Sequence, residues 1–484
     1  MALREILIFA AGLVLLRLLL GIPFLHLSSS FKDWLLLGAS VLALFWLQPL
    51  SAIHYLDFWL PLFTLSLVTL SWVLTTPLEQ RAGRQNWISA GVLLGLISLV
   101  ALTRYLNPTM GIITRTRPPA FGQVLLVLAL VSAGLLALAK YAPPRSVLLW
   151  GGIVILIVLL VIIKLPPLML AASLGLRMLT DQSTTPASAL DLRWLGYSYV
   201  AFRLIHTLRD RQSGRLPLVN LREYLTYVIF FPAFTAGPID RVERFTKDGR
   251  KPLEPFAPDL LEAGKRLALG LFKKFVIADS LAAFALNATN ATQIQSTGWT
   301  WVLLLAYSLQ IYFDFSGYTD LALGLARLVG IRLPENFNAP YLKPNLAKFW
   351  ANWHMSLTQW FRAYFFNPLA RSLRSGKRPL SPVAVIFITQ VSTMLLIGLW
   401  HGITLNFVIW GLWHGVGQFG QNRYSEWVKP HLTGLEDHPR WKGGLAAAGT
   451  VLTFIFVSLG WVWFALPNPA LAGQVFARLF GSGV

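Results

Sequence analysis

The chain has 484 residues, of which 13% are charged, 55% apolar and 13% aromatic. Soluble domains carry roughly 25% charged residues, so these proportions exclude an ordinary soluble globule, and with it a disordered chain, a collagen or a disulfide scaffold. There is no Cys, which removes a cysteine nucleophile and a thiolate metal site, and the excess of 41 basic over 21 acidic residues (+20) fits loops facing anionic lipid better than nucleic acid, since no nucleic-acid-reading motif is present.

Six apolar runs come first: Ile6 to Leu25, Trp34 to Leu50, Ile53 to Leu74, Trp87 to Leu102, Phe121 to Ala139 and Val147 to Ile163. Each is near the ~20 residues that cross a bilayer. The first is too long for a signal peptide and lacks a small-residue cleavage site after it, so it is expected to be an uncleaved span. Arg17 interrupts it and is expected to snorkel. Residues 1–165 read as a hydrophobic transmembrane scaffold.

Pro166 and Pro167 break this texture, and the runs that follow carry polar residues. Tyr224 to Gly237 is short for a span, and Thr235-Ala236-Gly237-Pro238 fits a re-entrant segment. Leu267 to Leu286 contains Lys273, Lys274 and Asp279. Trp299 to Val329 contains Gln310, Asp314, Ser316, Asp320 and Arg327. Ionisable groups inside spans are costly and normally face a bundle interior or a wet cavity. Residues 166–420 therefore read as a working core, and 421–484 as a polar loop with a C-terminal transmembrane helix. Three basic clusters, at Arg209 to Arg222, Arg241 to Lys251 and Arg371 to Arg378 with Lys377 among them, are expected in cytoplasmic loops. No repeat relates the two halves, which counts against a transporter.

No GxSxG, Walker A, GxGxxG or HExxH motif occurs, and no His, Asp and Glu group has zinc-like spacing. Five of the eight histidines have ordinary explanations. His206 and Asp210 can pair on one helix face, His431 and His438 lie in a polar loop, and His26 and His54 sit near span ends. Three remain. His354 lies in FWANWHMSLTQWFRAYFF, which as one helix presents a wide aromatic surface, with Trp350 and Leu357 beside His354. His401 lies between Gly398 and Gly402 in IGLWHGITLNFVIWGLWHG. His414 ends a second Trp-His-Gly copy, about 220° away on a continuous helix, so it shares a cavity with His401 only if the chain breaks between them.

Six blocks in order then resemble the membrane-bound O-acyltransferase superfamily, in particular the bacterial branch that includes alginate O-acetyltransferase and the teichoic acid D-alanyl transferase. They are LGYSYVAFRLIHTLRD (Leu195 to Asp210), FFPAFTAGPIDR (Phe230 to Arg241), GLFKKFVIAD (Gly270 to Asp279), YSLQIYFDFSGYTDLALGLARLVGIRLPENFNAPY (Tyr307 to Tyr341), FWANWHMSLTQWFR (Phe349 to Arg362) and LLIGLWHGITLNFVIWGLWHG (Leu395 to Gly415). The resemblance implies that His401 is the catalytic histidine and His354 a second functionally important one. Gln310, Asp314, Ser316 and Asn406 are candidates for substrate binding, although helix packing explains them equally well. Two departures stand out. Ala351 and Asn352 occupy a position where relatives often carry arginines, and Ile403 to Asn406 lacks the aromatic that relatives place after the histidine.

The fold so implied is all-α: a polytopic transmembrane helical bundle with re-entrant and interfacial helices around a central tunnel. The implied activity is transfer of an acyl group, with acetyl expected because many relatives use it. The donor is a thioester (acyl-CoA or acyl carrier protein), used as a substrate, with no tightly bound cofactor and no metal. The acceptor is a hydroxyl of an extracytoplasmic polysaccharide or cell-wall glycan, and the location is a bacterial inner membrane. His401 would serve as general base, since a neutral imidazole is the form that accepts a proton. Relatives often work with a second acyltransferase subunit. The competing readings are a transporter or flippase of a lipid-linked glycan and a non-catalytic subunit of an acylation complex.

Overall fold

The computed structural model describes residues 3–20, 29–107, 111–142, 145–251, 258–376, 378–431 and 439–482. His26, Lys377 and His438 lie outside them. Among the described residues every regular element is a helix. Two compact units are present, one of residues 1–266 with 321–333 and one of 267–320 with 334–484.

In the first unit the helices are α1 (Leu3–Leu20), α2 (Ser29–Trp46), α3 (Leu56–Thr75), α4 (Leu78–Arg81), α5 (Arg84–Leu102), α6 (Phe121–Tyr141), α7 (Ser146–Ile162), α8 (Pro166–Leu179), α9 (Tyr197–Gln212), α10 (Leu221–Val228), α11 (Val242–Gly249) and α12 (Asp259–Leu271), the last running on into the second unit. That unit continues with α13 (Asp279–Ala282), α14 (Ala288–Gln293), α15 (Thr297–Leu328), α16 (Leu346–Asn352), α17 (Met355–Phe361), α18 (Asn367–Ser375), α19 (Pro382–His401), α20 (Leu405–Val428), α21 (Pro439–Ala465) and α22 (Pro469–Leu479). The end of α15 returns to the first unit.

Among the described residues five helical stretches are long and apolar enough to cross a membrane: α3, α5 extended to Tyr105, α6, α19 and Trp441–Ala465 of α21. α7 and α8 meet the same criterion only when taken together, and they are bent by 94° where Pro166 and Pro167 lack the N–H groups a continuous helix would need. The protein is a multi-pass membrane protein. α1 carries Arg4, Glu5 and Arg17, and α2 carries Lys32 and Asp33; neither is among the five. Arg17 does not snorkel. It is 3% exposed and donates from Nη1 to the Arg327 carbonyl at 3.3 Å.

The Tyr224–Gly237 segment is a short helix and then buried coil rather than a span. Such backbone is tolerated away from water only where protein groups satisfy it. Arg203, itself buried, donates to the carbonyls of Val228 (2.8 Å), Ala233 (2.9 Å) and Pro238 (3.4 Å), and Tyr227 Oη donates to the Asp240 carbonyl. Much of the basic excess nearby is paired as well: Arg215 with Asp210, Arg222 with Asp33, Arg250 with Glu223 and Lys251 with Asp248.

In the second unit, α19 and α20 form a hairpin in backbone contact. A Cβ at Gly398 would meet the Phe407 carbonyl oxygen at 2.3 Å, and one at Gly411 or Gly415 would meet the Cα of Leu395 or Val391 at 2.8 Å. Both W-H-G copies lie in a Gly-x-x-x-Gly, and in the second, Gly411 and Gly415 put two small residues on one face of α20. The lysines of the 272–278 segment, which is wound as a wider π-helix, find acids on α15: Lys273 pairs with Asp320 at 2.6 Å, and Lys274 with Asp314.

One surface loop of the first unit gives a measurable consequence. Burial alone raises the Asp191 pKa, but hydrogen bonds from Ser173, Arg177 and the Ser188 N–H, together with the Arg177 charge, lower it below the usual carboxylate value. A carboxylate with a lowered folded-state pKa stabilises fully above its unfolded pKa of ~3.9, and the contribution is lost as pH falls through the folded value. Asp191→Ala, which leaves Arg177 buried and without its carboxylate, is expected to cost about 3 kcal/mol near neutral pH and less at the acid end, where the parent's own carboxyl is protonated. Thermal unfolding of the detergent-solubilised protein against pH checks this, and a cost unchanged with pH contradicts it.

Candidate active site

The α19–α20 break decides where His401 sits. His401 is the last residue of α19, and Gly402 is extended (φ −177°, ψ 146°), its Cα close against the Phe407 ring. The chain therefore does break between the two Trp-His-Gly copies. His414 nevertheless does not reach the His401 cavity. It is fully buried among Trp350, Trp410, Phe456 and Trp461, with neither ring nitrogen hydrogen-bonded among the described residues.

His354 is placed by a second break. The aromatic segment expected as one helix is two, α16 and α17, because His354 has φ +43° and ψ +53°. That is left-handed backbone, uncommon for a residue with a Cβ and more accessible to His than to most. Asn336 holds the turn. Its carbonyl accepts the Met355 N–H at 2.9 Å, and its Oδ1 accepts Ser356 Oγ at 2.6 Å and the Ser356 N–H at 3.2 Å. Asn336 is completely buried. The sequence alone does not single it out, since Asn336 is one of several polar residues in the block Tyr307 to Tyr341, with Glu335 and Asn338 beside it.

His354 and His401 line one small cavity of about 50 Å³. Its wall is mostly rings: Phe315 of α15, Trp350 and Trp353, Trp410 of α20, and Trp461 and Phe464 of α21. The His401 ring lies 4.8 Å from Phe464, 5.6 Å from Trp410 and 6.0 Å from Phe407, measured between centroids. Phe407 thus supplies an aromatic face just beyond the stretch where the sequence lacks one. His354 packs edge-on to Phe315 at 4.7 Å and faces Trp400 at 6.3 Å. His354 is 4% exposed, and neither of its ring nitrogens has a hydrogen-bond partner among the described residues.

The four other candidates do not line this cavity. Asp314 is bound to Lys274. Asn406 is buried and ties the start of α20 to the chain after α21, Nδ2 donating to the Leu466 carbonyl at 2.7 Å. Ser316 is buried in α15 with its Oγ unpaired among the described residues, and Gln310 is half-buried one turn ahead of Asp314. His206 and Asp210 do pair, at 3.5 Å, in the first unit. Among the described residues no group of three or more His, Asp or Glu could hold a metal ion.

The model of the MBOAT, membrane-bound O-acyltransferase family matches residues 60–442. The chain belongs to the membrane-bound O-acyltransferase family. It is 35% identical over 294 residues to the probable alginate O-acetylase AlgI of Pseudomonas syringae pv. tomato, covering 60% of this chain and 52% of that one. It is 34% identical over 279 residues to the teichoic acid D-alanyltransferase of Bacillus subtilis, covering 57% and 69%. To the peptidoglycan O-acetyltransferase of Helicobacter pylori it is 30% identical over 293 residues, covering 57% and 51%. The chain spans about half the length of the alginate O-acetylases it matches. Membership of the membrane-bound O-acyltransferase family supports acyl transfer as the general activity.

The left-handed turn at His354 separates backbone from side-chain effects. His354→Asn keeps a residue that tolerates this conformation, and the variant is expected to unfold within a few degrees of the parent. His354→Val puts a β-branched residue at positive φ and is expected to lose about 1–3 kcal/mol. Thermal unfolding of the two purified variants checks the difference, and equal stability contradicts it.

Proposed function

We propose that the protein is an O-acyltransferase of a bacterial inner membrane. It moves an acetyl group from a thioester donor, acyl-CoA or acyl carrier protein, to a hydroxyl of an extracytoplasmic polysaccharide or cell-wall glycan. What carries the reading is that His354 and His401 line one ring-walled cavity in a chain of this family. The relatives named above are an alginate O-acetylase, a peptidoglycan O-acetyltransferase and a teichoic acid D-alanyltransferase, which points to an envelope glycan as acceptor. A second subunit that supplies or receives a substrate is compatible with the reading.

In the proposed step His401 takes the hydroxyl proton as the acceptor oxygen attacks the thioester carbonyl carbon. A C–O bond forms, and the carbonyl oxygen gains negative charge. The carbonyl re-forms as the C–S bond breaks, and the thiolate leaves and recovers a proton. The imidazole of His354, unpaired among the described residues, can donate to the oxyanion when the nitrogen facing it carries hydrogen, which is the interaction that grows as the charge develops. General-base catalysis contributes about 10²–10⁴-fold, whereas holding two substrates in register is worth about 7–11 kcal/mol. The larger share therefore falls to the passage that brings donor and acceptor from opposite faces to one point. Asp314 and Asn406 act in this reading by holding the helices that carry the cavity.

The test is acetyl transfer by the purified protein from an acetyl thioester to a glycan acceptor, with any partner subunit supplied. His401→Ala is expected to lower the rate by about 10²–10⁴-fold while the protein still inserts and purifies normally. Full activity in that variant would falsify the assignment. The size of the cavity adds a second expectation. At about 50 Å³ it admits a group of a few heavy atoms, so acetyl should be transferred and an octanoyl thioester should compete poorly. Equal turnover of the two contradicts a size-limited acyl site.

A further inference from the structure

Within the first unit, α3, α5 and α6 enclose an apolar groove of about 700 Å³ that the acyl-transfer reading does not use. Leu65 and Val73, Leu94 and Ile97, and Leu128 and Leu135 form its walls, two from each helix. The hydroxyls of Ser66 and Thr69, which also line it, are spent on carbonyls of their own helix, so the wall offers hydrocarbon. All three helices are candidate membrane spans, and α6 buries only 11% of its apolar window. The groove therefore faces the bilayer rather than water. Along α5 the lining runs from Asn86 to Ile97, which at 1.5 Å per residue is about 16 Å. The hydrocarbon of one leaflet is about 15 Å deep.

One end of the groove is cationic. α3 stops at Thr75, α5 starts at Arg84 and α6 stops at Tyr141, and Arg81 of α4 ties these ends together. Its Nε donates to the Thr76 carbonyl at 2.9 Å, and its Nη1 to those of Ala139 and Ala142 at 2.9 and 2.8 Å. Arg81 is 6% exposed, and its Nη2 is buried with no hydrogen-bond partner among the described residues. No carboxylate is paired with it there; burial, and then the charge of Arg211, lowers its pKa from the usual value. Lys140, exposed, lines the same end. A buried guanidinium with an unused donor is costly unless an anion meets it.

We propose that this groove binds one anionic glycerophospholipid of the surrounding bilayer, an acyl chain lying along α5 and the phosphate at the cationic end beside Arg81 and Lys140. The length of the groove, its apolar wall, its position on spanning helices and the cation at the level of the helix ends each match a feature of such a lipid. A neutral or zwitterionic lipid matches the wall and leaves the excess positive charge uncompensated.

The experiment uses the full chain in nanodiscs of phosphatidylcholine containing a minor fraction of phosphatidylglycerol, with retained lipids counted by native mass spectrometry after release. One phosphatidylglycerol per chain is expected, enriched over phosphatidylcholine by about ten- to a hundredfold, the range of a charge-assisted hydrogen bond. Lys140→Gln, at an exposed position, should lower that preference severalfold. Gly91→Leu should remove the retained lipid. Gly91 lines the groove, and an added Cβ there meets no atom within 4 Å, so a larger side chain can leave the backbone freely and project into the space the acyl chain would occupy. Retention of both lipids in proportion to their supply, or undiminished phosphatidylglycerol on Gly91→Leu, overturns the proposal.

Discussion

Three glycines let α19 and α20 touch backbone to backbone, and the position of His401 follows from that contact. Without side chains at Gly398, Gly411 and Gly415, the two helices approach until a Cβ would overlap the opposing main chain. At that separation the connection is only a few residues long, and Gly402 allows the Phe407 ring to close over it. His401 is thereby fixed at a helix end, with α20 and α21 rings around it. In lipid, where burying apolar surface gives helices little reason to associate, such close packing is a principal source of attraction between them.

The second histidine is held by different means. A backbone at φ +43° costs about 1–2 kcal/mol for a residue with a Cβ, and a buried imidazole with no hydrogen-bond partner among the described residues adds a further penalty. Asn336 offsets part of this through three hydrogen bonds to the turn that follows. Both costs fall on the side chain that faces the cavity. A group held in this way keeps its hydrogen-bonding capacity for whatever enters, and that is the property a binding or catalytic polar group requires.

Much of this was legible in the sequence, and the parts that were not have physical reasons. The apolar runs marked α3, α5 and α6, and the C-terminal span α21, because hydropathy over some twenty residues depends on composition alone. His401 stood out because a histidine flanked by glycines inside an apolar run has few bland explanations. The break at Trp353–His354 was not legible, since Phe349 to Phe366 contains no Gly or Pro to signal it; the turn is imposed by Asn336, about twenty residues earlier. Nor was the fate of the polar residues on α15. Asp314 looked like a substrate ligand until Lys274, forty residues before it, was seen to take it. Trp461 and Phe464 complete the cavity from the last span, and nothing in their local pattern distinguishes them from other aromatic residues of a membrane helix.

The most direct test of the account is an experimental structure of the full chain bound to a non-transferable acetyl thioester analogue. The account predicts the acetyl carbonyl inside the ring-walled cavity, within hydrogen-bonding reach of the imidazoles of His354 and His401. An analogue bound elsewhere, with that cavity unchanged and both imidazoles out of its reach, would contradict it.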